Sequence, residues 1–440
     1  MREPLGLQLL RSTVAVGLAL ILTLLTALLV IGCLPAARAA IEPLFSPGSE
    51  TPKLALGLLV IFVVLLPLVV VSLAARRRRL TWTVLAVSWV AILPVLAWLA
   101  WDDPAVRLPL TIEEFSPAFP GADKSYAVLM QYSKQTPSEE AKVFGKARWA
   151  VEFAATASTR DAAKWLEFVT KNRAAIEQEW AALAPQRRWL AELAAFDHIG
   201  DLTPADPTAN ILTFQLWRVL AQRTCAIATL QAIDGHGDEA IATLVPLLEV
   251  GRGLQPSSRT LVRTMIGVVV ERMVMETAGI VLDQTPVSAR SRARLGAALA
   301  GENAPALARR LILVEYVLFA PLLSHMKLGD FNDLIHERQS VLRRPLNFLS
   351  GLFLNPIATV NIYGDQARAL ADLAEARELG KFAVRSKAFG DTMLLDPGMK
   401  NIGGRLVLNL ALPALDKVVE SHWKTADIRE ALRKRLADTR

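Results

Sequence analysis

Near its start the chain reads STVAVGLALILTLLTALLVIGCL, residues 12–34, and this is the first of three long apolar stretches. The second, residues 54–75, reads LALGLLVIFVVLLPLVVVSLAA, and the third, residues 80–101, reads LTWTVLAVSWVAILPVLAWLAW. Each has about 20 residues or more, the length that a helix needs to cross a hydrocarbon core of about 30 Å. None contains a charged side chain, and a charge in mid-bilayer usually marks an ion or substrate path. The three stretches therefore predict transmembrane helices that anchor the protein in a lipid bilayer.

Basic residues beside these stretches predict their orientation. Four arginines, Arg76–Arg79, separate the second stretch from the third, and Arg2 and Arg11 precede the first. Because short cytoplasmic segments are enriched in Arg and Lys, both regions are expected on the cytoplasmic side. The composition, rich in Ala, Leu and Arg, is typical of a high-GC bacterial protein. We therefore expect a multi-pass inner-membrane protein with a cytoplasmic N-terminus and with residues 102–440 in the periplasm.

Two processing motifs compete with an uncleaved first helix. Ala37-Arg38-Ala39 resembles a signal-peptidase site, and Val30–Cys33 loosely matches a lipoprotein box. The apolar run, however, exceeds the roughly 7–15 residues of a signal-peptide core. Cleavage would also remove the cytoplasmic N-terminus and leave two spans, so we favour an uncleaved anchor and keep processing as the alternative.

The net charge of +7 is concentrated in the membrane region. Residues 1–101 carry eight basic and three acidic groups, which leaves a net charge of +2 for residues 102–440. The basic balance is therefore mostly a topology signal. A nearly neutral domain gives no electrostatic reason to expect nucleic acid as a partner.

Residues 102–121 are predicted to be a proline-rich linker, and residues 122–440 the large domain that follows it. The prolines favour an extended spacer between the membrane and the domain. Beyond the linker no stretch shows sustained strand alternation, and hairpin turn signals are scarce. We predict an all-α extracytoplasmic domain of about ten helices joined by short loops.

Signals for helix ends recur along this domain. Asp161 can cap a helix that carries apolar residues at helical spacing through Trp180, and Pro185 can open the next helix. Gly380 has the position of a helix stop. The further starts are predicted at Thr136–Glu139, which is a capping box with proline at the first helical position, at Asn303–Pro305 and at Asn355-Pro356.

Residues 216–254 indicate a helix, a tight turn and a second helix. Gly235 stands in the turn, and Ala228 and Ala240 are small residues where the two helices would approach each other. This stretch resembles a tetratricopeptide helical hairpin. The sequence departs from that family at the positions of a usual alanine and a terminal proline, which are Leu247 and Arg252. The resemblance covers one unit without a second clear copy, and it implies a scaffold that binds partners; an ordinary helical hairpin is the alternative.

Few residues are arranged for metal chemistry. The two cysteines, Cys33 and Cys225, allow neither a disulfide framework nor a cysteine zinc site. No histidine stands four residues from another, as a helical zinc pattern would require. The nearest resemblance to a ligand cluster is Asp197–Asp201, which contains His198, with Asp206 close by. Because Asp and His are ordinary residues at helix ends, we predict no metal site there.

Catalytic motifs are also missing from the sequence. No Walker loop, dinucleotide glycine motif or nucleophile elbow occurs, and the segment Gly251–Gly253 follows a helix rather than a strand. The pair Ser257-Ser258 is expected to cap the next helix. The three acids within apolar helices are Glu271, Glu276 and Glu315, and for Glu315 we expect a structural ion pair with Arg309 or Arg310.

Two apolar stretches of the domain are candidates for partner binding. They are residues 347–363, with Phe348, Leu349, Leu352, Phe353, Leu354 and Ile357, and residues 399–419, with Leu406, Leu410, Leu415 and Val419. Core packing is the default interpretation of both. If they were exposed, they would form an interaction surface for a protein or for the membrane.

Together these patterns predict a membrane-anchored helical scaffold, or protein-interaction protein, of the bacterial cell envelope. The alternative is a hydrolase or transferase that acts at the membrane surface without a recognisable motif. A sensor ranks last, because the short cytoplasmic tail leaves little room for an output domain. We assign no catalytic, cofactor-binding or metal residue, and the expected partners are the lipid bilayer and another protein.

Overall fold

A computed structural model describes residues 102–115, 119–133, 161–204, 214–301, 303–326, 354–395, 408 and 415–438. The chain divides into two compact units. The larger unit contains the described residues within 107–324, 361–389 and 412–440, and the smaller contains those within 102–106, 325–360 and 390–411.

All the regular elements in these described ranges are α-helices, which confirms the predicted all-α class. They are α1 Ile112–Phe115, α2 Ala122–Ser133, α3 Ala162–Lys171, α4 Arg173–Ala182, α5 Ala184–Ala194, α6 Phe214–Ile233, α7 Gly237–Gly253, α8 Leu261–Gln284, α9 Ala289–Ala298, α10 Ala304–His325, α11 Pro356–Glu375, α12 Leu379–Leu395 and α13 Leu415–Asp438.

Among the residues that the structure describes, no helix combines the length and the apolar composition needed to cross a membrane. The three stretches predicted to do so, residues 12–34, 54–75 and 80–101, lie outside the described residues. The predicted capping box at Thr136–Glu139 lies outside them as well.

The centre of the larger unit is α8, which packs against both α6 and α7. Its buried residues are distributed around the whole helix rather than along one stripe, as expected of a helix enclosed by others. The remaining helices add to this group of three: α13 packs on α8, α9 and α5 pack on α7, and α4 packs on α6. Two tryptophans tie the earlier helices to α6, because Trp165 donates to the Thr229 hydroxyl at 2.9 Å and the Trp189 ring lies 5.1 Å from that of Trp217.

The predicted hairpin of residues 216–254 is confirmed as α6, a turn and α7. Gly235 has a φ of +83°, and its amide donates to the carbonyl of Ala232 while the amide of His236 donates to that of Gln231. This pair of bonds is a Schellman motif, which ends a helix through a left-handed residue. Ala240 is fully buried, as expected for a close approach of the two helices. The resemblance to a tetratricopeptide unit stays a prediction.

Helix α3 begins where the sequence predicted and ends earlier. The carboxylate of Asp161 accepts a hydrogen bond from the amide of Lys164 at 3.2 Å, which confirms the cap. The single helix expected through Trp180 is wrong, because α3 ends at Lys171 and α4 begins at Arg173. Between them Asn172 donates twice to the carbonyl of Phe168, from its side chain at 2.8 Å and from its backbone amide at 3.1 Å.

The predicted helix starts at Pro185, Asn303 and Asn355-Pro356 are confirmed, and the predicted stop at Gly380 is not. Pro185 occupies the first turn of α5, the side chain of Asn303 accepts from the amide of Ala306 at 3.1 Å, and α11 begins at Pro356. The predicted stop at Gly380 is wrong, since α11 ends at Glu375 and Gly380 lies in the first turn of α12.

Arg377, and not a glycine, supplies the left-handed residue after α11, with a φ of 57°. A non-glycine residue in this conformation costs roughly 1–2 kcal/mol. The side chain of this residue makes two contacts with α13. The guanidinium of Arg377 lies 2.6 Å from the Asp427 carboxylate and 4.9 Å from the centre of the Trp423 ring.

The segment predicted as a linker, residues 102–121, is bonded to α11 at two of its described residues. In the smaller unit, the Asp102 carboxylate accepts from the amides of Ile357 at 3.0 Å and Ala358 at 2.8 Å, at the start of α11. In the larger unit, the amide of Arg107 donates to the Asn361 side chain at 2.7 Å. A carboxylate at a helix N-terminus accepts hydrogen bonds from amides that have no partner within the helix. Its negative charge is also attracted to the positive end of the helix dipole.

Candidate functional site

The three described acid and imidazole side chains of the cluster around His198 do not come together as a group of metal ligands. Asp197 and His198 are exposed, whereas Asp201 is 2% exposed and Asp206 lies outside the described residues. Asp201 accepts hydrogen bonds from the amides of Thr203 at 3.0 Å and Arg259 at 2.8 Å. In the described part of the chain, no group of three His, Cys, Asp or Glu side chains could hold a metal ion.

Asp201 instead takes part in a buried structural network at the start of α8. The guanidinium of Arg263 lies 3.4 Å from the Asp201 carboxylate and donates to the carbonyls of Ile199 at 2.7 Å and Gly200 at 2.8 Å. Burial lowers the pKa of Arg263, and the neighbouring carboxylate opposes that shift. This network fastens the loop after α5 to the beginning of α8.

The serine pair does not cap α8 as the sequence predicted. Thr260 is the N-cap, and its hydroxyl accepts from the amide of Arg263 at 3.2 Å. Ser258 donates to the carbonyl of Thr260 at 2.6 Å, and Ser257 bonds to the carbonyl of Ile199. Both serines therefore shape the loop before the helix.

Glu315 lacks the arginine partner that the sequence predicted. Arg309 binds Asp372 at 2.5 Å and Glu375 at 2.9 Å, and Arg310 donates to the carbonyl of Ser258 at 2.8 Å. Residues five and six positions apart do not face each other on a helix, unlike those three or four apart. The Glu315 carboxyl accepts instead from the amide of Leu261 at 3.2 Å, at the N-terminus of α8.

The surroundings of Glu315 favour its protonated form. Burial raises its pKa to about 7, against the smaller opposing effect of the Leu261 amide. Burial also raises the pKa of Tyr316 to about 12 and raises that of Tyr363 well above its ordinary value. The two tyrosine rings lie 5.3 Å apart, and Tyr316 donates to the carbonyl of Leu108 at 2.7 Å. The arrangement can hold one proton near neutral pH, but it does not show the second acid or base that most proton-transfer reactions use.

Glu271 belongs to a different buried group. Its carboxylate accepts from the guanidinium of Arg429 on α13 at 2.8 Å and from the amide of Gln255 at 2.9 Å. Glu271 stands ten residues after Leu261, or roughly 15 Å along α8, so it does not share a site with Glu315. Glu276 lies 3.8 Å from Arg272 on the same helix. His198, Glu271 and Glu315 thus do not lie together in one site, and they give no support to the enzyme alternative.

The remaining histidines are equally dispersed. His236 is exposed in the α6–α7 turn, and His325 is exposed at the end of α10. His422 is buried and bonds through Nε2 to the carbonyl of Ala304 at 2.9 Å, so Nε2 carries the proton. Burial lowers the pKa of His422 to about 4, which keeps it neutral at physiological pH. His336 lies outside the described residues.

The two apolar stretches proposed as an interaction surface are mostly buried where the structure describes them, although Ile357 is half-buried. Leu354, Val360 and Tyr363 of the first are buried, as are Leu415 and Val419 of the second. Residues 347–353 and most of 399–414 lie outside the described residues. Core packing, the default interpretation, is therefore confirmed for the described portions.

The candidate functional site is a groove that sequence reasoning missed. It lies between α9 and the C-terminal part of α13 and has a volume of about 400 Å³. Its walls combine small side chains with two arginines. The lining residues are Ala289, Arg292, Ala293, Gly296, Ala297, Arg433, Leu436 and Ala437. The available signal was the spacing of the small residues in α9, which places them on one helix face.

Of the three comparisons made, with protein-family models, with curated proteins and with solved structures, none finds a match for the chain. The class that the fold defines is an all-α protein built around a helical hairpin and a central helix. The features of this protein that bear on its function are the groove, the buried networks and the apolar N-terminal stretches.

Proposed function

We propose that the protein is a membrane-anchored helical scaffold that binds another protein at the bacterial cell envelope. One observation carries the binding part of this proposal, namely the open groove between α9 and α13. The three apolar N-terminal stretches support the anchoring part, because each has the length and composition of a transmembrane helix.

The buried polar residues favour a scaffold over an enzyme. Glu271 and Arg263 each bond to groups of the protein itself, and both side chains are inaccessible to a substrate. Interaction surfaces of helical proteins are built from the faces and grooves of adjacent helices. The α6–α7 hairpin, which we propose to be a tetratricopeptide-like unit, fits such a role.

The proposed topology places the N-terminus in the cytoplasm and residues 102–440 in the periplasm of an inner-membrane protein. Alkaline phosphatase folds actively only in the oxidising periplasm, so a fusion after Arg440 should be active. A fusion after Arg79, in the basic segment between the second and third stretches, should be inactive. The opposite pattern would show that the orientation is wrong.

The proposed binding function requires a specific protein partner. Chemical crosslinking in intact membranes, followed by purification of the full chain, should recover the same partner repeatedly. Residues 1–101 fused to an unrelated soluble domain are the control, and that fusion should not recover the partner. Recovery of the same proteins by both, or of none by the full chain, would contradict the scaffold function.

A further inference from the structure

Helices α10 and α11 run antiparallel within the larger unit. Arg309, near the start of α10, pairs with Asp372, near the end of α11. Tyr316, about two turns further along α10, packs its ring 5.3 Å from that of Tyr363, which comes earlier on α11. The last turns of α10 therefore lie at the same end of this helix pair as the residues of α11 that precede Tyr363.

Helix α12 returns along α11 toward that same end. Residues 376–378 are the whole connection between α11 and α12, and helices joined by so short a loop run antiparallel. The guanidinium of Arg385 donates to the Gln366 side chain at 3.1 Å, so the two helices pack together at this level. Lys387 lies beyond Arg385, in the direction in which α10 ends.

The N-terminal part of the chain enters the larger unit at this end as well. The amide of Arg107 donates to the Asn361 side chain at 2.7 Å, and its guanidinium pairs with Asp365 at 2.9 Å. Arg107 stands six residues after Trp101, the last residue of the third apolar stretch, so the two lie no more than about 20 Å apart. We call this region, made of the last turns of α10, the Asn361 side of α11 and residues 384–387 of α12, the tethered end.

Exposed apolar and basic side chains occur together at the tethered end. Leu322, in the last turn of α10, is 38% exposed, and Val384 on α12 is 71% exposed, more than any other large apolar side chain that the structure describes. The first half of α12 contains three charged residues, and all of them are basic: Lys381, Arg385 and Lys387. Basic and apolar side chains on one surface are the combination that binds the headgroup region of an anionic membrane.

Two of these three cations have no counter-charge among the described residues. Lys381 pairs with Glu378 at 2.7 Å, whereas Arg385 bonds to Gln366, which is uncharged. Lys387 has no ion pair in the described part of the chain. The positive charge of Arg385 and Lys387 is therefore available to anionic lipid headgroups, which attract Lys and Arg near a membrane surface.

We propose that the tethered end rests on the membrane, where Arg385 and Lys387 bind anionic phospholipid headgroups and Leu322 and Val384 enter the interface. This inference rests on the proposed anchoring of residues 80–101, and it adds the contact that orients the helical domain on the bilayer. A lipid surface fits better than an acidic protein, because the anchor holds this end within reach of the bilayer and so gives the lipid a high effective concentration.

The test uses the full chain with Cys33→Ser in nanodiscs whose phospholipids carry a quenching nitroxide on the headgroup. Val384→Cys and Leu322→Cys place a fluorophore at the tethered end, and Ala306→Cys places it at an exposed position at the other end of α10. Cys225 is fully buried and stays unlabelled. In discs of equal parts phosphatidylglycerol and phosphatidylcholine, we expect at least about twofold stronger quenching at the two tethered-end positions than at the control. Equal quenching at all three positions would overturn the proposal.

Matched charge reversals test whether the basic residues make the contact. Arg385→Glu with Lys387→Glu alters the tethered end, and Arg433→Glu with Lys434→Glu makes the same change at exposed residues of α13. We expect the first pair to reduce quenching of the Val384→Cys label at least about twofold, to the level in phosphatidylcholine discs, and the second pair to leave it unchanged. Equal effects of the two pairs, or no effect of the first, would refute headgroup binding at this end.

Failure of the anchoring and failure of this contact give different results. If the full chain does not enter the nanodiscs, the proposed anchoring is wrong and the lipid contact with it. If the chain enters the discs and the label at Val384→Cys stays unquenched, the anchoring stands and the lipid contact is wrong. If that label is unquenched and the same position crosslinks to one protein in membranes, the tethered end binds a protein instead of lipid.

Discussion

Two glutamates inside the helical core show how different surroundings assign different roles to one residue type. Glu271 faces the guanidinium of Arg429, and this ion pair joins α8 to α13. Glu315 faces a single backbone amide, that of Leu261, and burial raises its pKa to about 7. The first carboxylate must be balanced by its partner, whereas the second can be neutralised by a proton.

Glu315→Gln should make the free energy of unfolding less dependent on pH. The native carboxyl keeps its proton up to about pH 7, whereas in the unfolded chain it ionises near its ordinary pKa of 4.5. The unfolded state therefore binds fewer protons in this range, and the wild type loses stability as the pH rises from about 4.5 to about 7.

The glutamine variant keeps an oxygen for the Leu261 amide and cannot ionise. It should exceed the wild type by up to about 3 kcal/mol above pH 7, and the two should be nearly equal below pH 4.5. Urea unfolding followed by circular dichroism, once above pH 7 and once below pH 4.5, measures the difference in the free energy of unfolding between the variant and the wild type. Glu167→Gln, which alters an exposed carboxyl, is the control. Parallel pH curves for Glu315→Gln and the wild type would contradict the prediction.

Arg429→Met should destabilise the protein by about 3–5 kcal/mol, because it leaves the Glu271 carboxylate buried without its counter-charge. Replacing both residues by Met should recover most of that loss. Lys424→Met, which breaks an exposed ion pair with Glu420, should cost under about 1 kcal/mol. Chemical denaturation of the three variants gives the comparison. A double variant as unstable as Arg429→Met would show that the uncompensated charge is not the cause.

At the scale of elements, glycines on α8 serve two different purposes. A Cβ on Gly267 would lie 2.5 Å from the carbonyl oxygen of Gly251, so α7 and α8 cross there with backbones in contact. A Cβ on Gly279, farther along the same helix, would meet nothing within 4 Å. The first glycine is needed for the crossing of two helices, whereas the second only lowers the helix propensity of α8.

Gly267→Ala should therefore destabilise the protein by about 1–3 kcal/mol, the usual cost of overpacking a core. Gly279→Ala should stabilise it by up to about 1 kcal/mol, the difference in helix propensity between the two residues. Thermal unfolding of both variants under the same conditions measures this contrast. A stabilising Gly267→Ala would show that α7 and α8 can separate without loss.

At the scale of the whole molecule, local signals were predictable and distant contacts were not. The caps at Asp161 and Asn303 depend on amides three residues away, and the sequence shows both partners together. Glu315 and Glu271 find their partners 54 and 158 residues away, so a helical repeat cannot indicate them. The groove was missed because a groove depends on which helix face lacks a neighbour, and periodicity does not report that.

The enclosure of α8 should appear in the rates of amide hydrogen exchange. Opening its central turns requires separation from α6, α7 and α13, so these amides should exchange only through global unfolding. The amides of residues 381–387 in α12, where most side chains are exposed, should exchange faster. Hydrogen exchange of the full chain in micelles, followed by mass spectrometry, tests whether the amides of α12 exchange faster than those of α8. Equal protection in the two helices would contradict it.

Cys225 offers an internal reporter of folding. Its side chain is fully buried in α6, and burial raises the pKa of its thiol to about 12. Because the thiolate is the reactive form, a maleimide reaches this sulfur only when the core opens. After Cys33→Ser it is the single thiol of the sequence. Pulsed alkylation of intact cells would then record how often the core opens where the protein resides, without purifying the protein.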